Sequence, residues 1–89
     1  MNVSEFEAVL GQVLAKLDKF LHETGSNEAL EEGRRTIGQV ASCSRDGAKL
    51  KAARAKLDKT TDLVCAELSK DAALRDELWD CLDYIDYRA

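Results

Sequence analysis

The stretch DAALRDELWDCLDYIDYR, Asp71 to Arg88, decides the fold. At about 100° per residue, Leu74, Leu78, Cys81, Leu82 and Ile85 share one arc of a helix. That arc can close a core. Asp76, Asp80, Asp83 and Tyr87 fall opposite it, and Trp79 lies well off its centre. One helix over 71–87 is therefore expected to seal an interior and show an acidic, aromatic surface. The stretch holds six of the seventeen acids and three of the five aromatics.

Upstream, Ser69-Lys70-Asp71 reads as a boundary, with Ser69 or Asp71 as the cap. The preceding helix spans 48–69. Leu50, Ala53, Leu57, Thr61, Val64 and Leu68 line one side of it. Ala48, Ala52, Ala55, Leu63 and Ala66 line nearly the opposite side. A helix apolar on two sides is usually a central one, packed between helices of its own chain or against a second copy. Ser44-Arg45-Asp46-Gly47 is a turn. Before it, a helix over 27–43 carries Ala29, Leu30, Gly33, Ile37, Val40 and Ala41 on one thin face, with Ser26 or Asn27 as cap. Gly33 on that face lets a neighbouring backbone come close, although each of Gly33 and Gly38 costs about 1 kcal/mol against alanine. The first helix spans 4–23. Ser4 and Glu7 form a capping-box pattern, and Gly25 stands where a left-handed residue ends a helix. Phe6, Val9, Leu10, Val13, Leu14, Leu17, Phe20 and Leu21 form its apolar arc, with Glu5, Lys16, Asp18, Lys19 and His22 on the other face.

Four helices with short connections make an all-α, antiparallel four-helix bundle, closed within the chain or completed by dimerisation. Residues 1–89 form a single helical domain. No proline interrupts the helices, and no repeat or strand pattern is present. Charged residues make up 34% of the chain, above the usual quarter or so.

The net charge of −4 is uneven. Residues 1–25 carry −2, 26–45 are neutral, 46–70 carry +2 and 71–89 carry −4. The acidic end repels phosphate and attracts a basic partner. Cys43, Cys65 and Cys81 are an odd, widely spaced set without a Cys-x-x-Cys pair, which fits unpaired thiols in a reducing compartment. No signal-like start and no run of about 18 apolar residues occurs, so a cytoplasmic location without membrane insertion is expected.

The ladder Asp76, Asp80, Asp83 has i, i+4, i+7 spacing on one stripe. Hard cations want oxygens converging from several directions, which one straight helix does not supply. Trp79 and Tyr87 beside that stripe have the residue types of interface hot spots. The expected partner-binding set is Asp76, Trp79, Asp80, Asp83 and Tyr87, and the expected partner is a basic protein. In its surface chemistry alone this helix is similar to small nuclease-inhibiting immunity proteins, which set acids beside tyrosines against a basic active site. His22 has no nucleophile around it. With no phosphate-cradling loop, metal-ligand cluster or nucleophile–base pair, no enzyme, metal or cofactor is expected.

The expected function is thus a non-enzymatic binding module, inhibitory or regulatory. The alternatives are a self-associating scaffold or a helix-turn-helix-like nucleic-acid regulator through residues 45–59. The last is disfavoured. That motif wants glycine four residues after Ala41, where Arg45 stands, and Lys49, Lys51, Arg54, Lys56 and Lys59 surround the helix instead of lining one face. A further reading pairs this basic segment with the acidic last helix, within one chain or between copies.

Overall fold

In a computed structural model, which describes residues 2–25, 27–68 and 71–88, the chain folds as four helices. They are α1 (Val3–Thr24), α2 (Glu28–Ser42), α3 (Gly47–Glu67) and α4 (Ala72–Arg88). The expected spans hold to within two residues at each described end. Each helix packs on its neighbours in chain order and α4 closes on α1, while the backbones of the diagonal pairs stay apart.

Local chemistry sets the ends. Asn2, not Ser4, caps α1: its side-chain oxygen accepts the Glu5 N–H at 2.9 Å, and its carbonyl accepts from Phe6 at 2.9 Å. The capping-box expectation fails because an asparagine two residues earlier reaches the same orphan donors, leaving Ser4 inside the first turn. Asn27 caps α2 through the Leu30 N–H, and Asp46 caps α3 through the Lys49 N–H. Asp71 caps α4 through the Leu74 N–H at 2.9 Å. The alternative caps Ser26 and Ser69 lie outside the described residues. Gly25 ends α1 with φ 81° and ψ −158°, a conformation open to glycine and strained for other residues.

The core is the set of arcs read from the sequence. Phe6, Leu10, Val13 and Leu17 of α1 meet Leu30, Ile37 and Val40 of α2 and Leu50, Leu57 and Val64 of α3. Leu74, Leu78, Cys81, Leu82 and Ile85 of α4 close it, each no more than 1% exposed. Gly33 faces α3 so closely that a Cβ there would meet Val64 Cγ2 at 2.5 Å, as the thin face of α2 requires. Thr36, at 1% exposure, joins this seam unannounced, and its hydroxyl finds no partner among the described residues.

The two-sided reading of α3 is half overturned. Its Leu50–Leu68 side is buried, but Ala48, Ala52, Ala55, Leu63 and Ala66 face outward, so no helix of its own chain covers them. α3 occupies a corner of the bundle, between α2 and α4. Its pairing with α2 runs from Asn27 beside Glu67 to Gly33 against Thr60 and Val64.

Candidate functional site

The five acids of α4 and its cap Asp71 sort by what holds them. Asp71 and Glu77 flank one ammonium: Lys16 Nζ lies 3.5 Å from Asp71 Oδ2 and donates to Glu77 Oε1 at 3.0 Å. The hydrogen bond to Glu77 is the main reason the Lys16 pKa is raised, with both carboxylates adding to it. Asp86 takes a two-point contact from Arg54, whose Nε donates at 3.0 Å and Nη2 at 3.1 Å. Arg54 also reaches Asp58 at 3.2 Å, and its pKa is raised chiefly by the hydrogen bond to Asp86. These three acids fasten α4 to α1 on one side and to α3 on the other.

The remaining three are Asp76, Asp80 and Asp83, the stripe read from the sequence. All three are exposed, and none forms an ion pair with a described residue. Trp79 is 44% exposed and Tyr87 83% exposed beside them. Tyr84 behaves differently, because it stacks on Phe6 with ring centroids 4.3 Å apart. Helical spacing turns Trp79, Asp76 and Asp83 toward α3, whereas Asp80 and Tyr87 lie nearer the α1 side of the same outer surface. The predicted set therefore shares one helix but bends around its outer edge.

Between α3 and α4 runs a shallow cleft of about 250 Å³, lined by Thr61, Asp62, Cys65, Ala66, Arg75 and Trp79. A second recess of about 130 Å³ continues beyond Arg75 to Leu68, Asp71, Ala72 and Asp76. Cys65 shows 7% of its surface at this seam. Arg75 and Asp62 both line the first cleft, yet they form no ion pair among the described residues. The cleft was not read from the sequence. Its one local signal was Arg75 standing one turn before Trp79, since i and i+4 side chains share a helix edge. Lys16 was likewise missed as a clamp, although it borders the apolar arc of α1, whereas Arg54 with Asp86 is a pairing of the basic segment with the last helix within one chain, as the sequence offered.

Chemically the surface offers charge and aromatic area. Among the described residues, no group of three His, Cys, Asp or Glu side chains is placed to hold a metal ion. Cys81 is sealed in the core, where burial first, and then the charges of Asp80 and Glu77, push its thiol up to about 12. Such a thiol is a packing group, not a nucleophile. Among the described residues no helix is long and apolar enough to cross a membrane. Comparison with protein-family models, with curated proteins and with solved structures found no match.

Proposed function

We propose that this protein is a small non-enzymatic binding module, inhibitory or regulatory, that presents the outer face of α4 to a basic protein surface. The observation that carries this reading is the division of the acids of α4 and its cap. Asp71, Glu77 and Asp86 are engaged within the fold, while Asp76, Asp80 and Asp83 stand unengaged in one stripe beside exposed Trp79 and Tyr87. Unengaged carboxylates steer a positively charged partner toward the face, and the rings then anchor it on contact. Occlusion of the partner's basic surface would be the inhibitory act. The three unpaired cysteines support placing this in a reducing compartment, the cytoplasm.

The test is capture by cross-linking from cells that make the protein, with wild type beside a Trp79→Ala, Asp80→Ala double variant. Proteins with basic surfaces should be captured by wild type and lost with the double variant. Capture that ignores the double substitution overturns the reading. A self-associating scaffold is the second reading, favoured by the uncovered outer side of α3.

A further inference from the structure

α3 and α4 form one outer surface of the bundle, and its two halves differ in net charge, although α3 also carries unpaired Asp62 and α4 unpaired Arg75. On α3, Lys51 and Lys59 are exposed and form no ion pair with a described residue. On α4, Asp76 and Asp83 are in the same state. Between them stand small exposed side chains, Ala55 and Ala66 on α3, and one large one, Trp79. We infer that a second copy of this chain is a partner of this face, its α3 lying over α4 and its α4 over α3. The inference rests on the reading of the outer α4 face as a docking surface, and it names one occupant.

Symmetry and register select the arrangement. A surface positive on one half and negative on the other can meet itself about a two-fold axis in two ways. An axis across the helices sets α3 on α3 and opposes like charges. An axis along the helices sets α3 on α4 and leaves every level unchanged. Levels are fixed within the chain: Arg54 stands level with Asp86, and Cys65 with Arg75. With a rise of about 1.5 Å per residue on both helices, Lys59 is then level with Cys81 and about 3 Å along the axis from Asp83. In the dimer Lys59 therefore comes to Asp83 of the second copy. By the same count Asp62 lies about three residues from the level of Arg75 and about two from that of Asp76. Unpaired Asp62 of one copy thus comes near both Arg75 and Asp76 of the other.

The size of the face agrees. The bundle measures 35 × 20 × 18 Å. A face of 35 × 20 Å is comparable in extent with one side of a standard interface, about 800 Å² per partner.

The test is sedimentation velocity at low salt over a wide concentration range. Wild type should dimerise reversibly. Lys59→Glu alone and Asp83→Lys alone should each weaken dimerisation about tenfold, because each reverses a charge pair that occurs twice. An equimolar mixture of the two variants should recover the dimer, since both pairs in the mixed dimer are again attractive. Recovery also shows that both variants are folded. A wild type that stays monomeric, or a mixture that does not recover, overturns the inference. An added arginine- and lysine-rich peptide separates the two ideas. If wild type is monomeric but the peptide shifts Trp79 emission, and Asp83→Lys abolishes the shift, only the second copy is excluded as partner. If the peptide also has no effect, the docking face itself falls.

Discussion

α4 has two edges built from the same kinds of side chain with opposite outcomes. On the α1 edge, Tyr84 stacks on Phe6, Lys16 clamps two carboxylates, and Cys81, one turn from both Glu77 and Tyr84, is fully buried. On the α3 edge, the aromatic is Trp79, nearly half exposed, the ion pair is Arg54 with Asp86, and the cysteine is Cys65 at the lining of a cleft. The difference is the residue across the seam. α1 offers Phe6, a large flat partner, whereas α3 offers Thr61, Asp62 and Ala66, too small or too polar to cover an indole. An aromatic ring is buried by what faces it, not by its own hydrophobicity. The α1 edge is sealed, and the α3 edge leaves its aromatic partly open to solvent.

The largest effect that tests this contrast is on the sealed edge. Phe6→Ala removes a fully buried ring and its stacking partner's cover, and should destabilise by about 3–5 kcal/mol. The midpoint of urea unfolding reads it. A loss below about 1 kcal/mol would mean that the α1 edge is not sealed and the contrast is mistaken.

Next in size is an alkaline effect of Cys81. Its thiol is raised from 9.0 to about 12 in the folded state, so the fold keeps the proton that the unfolded chain releases. The associated stability is fully present below pH 9 and is lost as pH rises toward 12. The slope per buried thiol is about 1.4 kcal/mol per pH unit. Lys16, also raised, adds loss in the same direction above 10.5. Cys81→Val should flatten the decline between pH 9 and 10.5 in urea titrations at stepped pH. An identical decline in Cys81→Val would show that the thiol reaches water.

How much of this was legible in the sequence follows the same division. Period and caps gave the four helices, the buried arc of α4 and the Gly33 approach, because each depends on residues close in the chain. The exposure of Asp76, Trp79, Asp80, Asp83 and Tyr87 followed from the register of one helix. What the sequence hid depends on which helix lies opposite. Lys16 reads as a surface cation until Asp71 and Glu77 are brought beside it from the other end of the chain. The cleft at Arg75 needs Asp62 and Cys65 from α3. Ala48, Ala52, Ala55, Leu63 and Ala66 read as a second packing face because periodicity reports an apolar side and not whether anything covers it. Their outward placement removes a central position for α3 and leaves a surface a second copy can use.

The smallest expected stability effect lies on the open edge and discriminates most sharply between structural and recognition roles. Trp79→Ala deletes the largest side chain in the protein, yet it should change unfolding stability by no more than about 0.5 kcal/mol, as for a surface position. Truncating a buried ring costs several times more. Because Trp79 is the sole tryptophan, its emission in the native protein should already lie near that of the unfolded chain and should shift when the face is covered. A loss of several kcal/mol would place the indole among the packing residues, and the α3 edge would then be a second sealed seam. A near-neutral stability combined with lost dimerisation or lost partner capture would separate recognition from folding at one residue. The exposed outer face of α4 is what permits that separation, since no packed core depends on it.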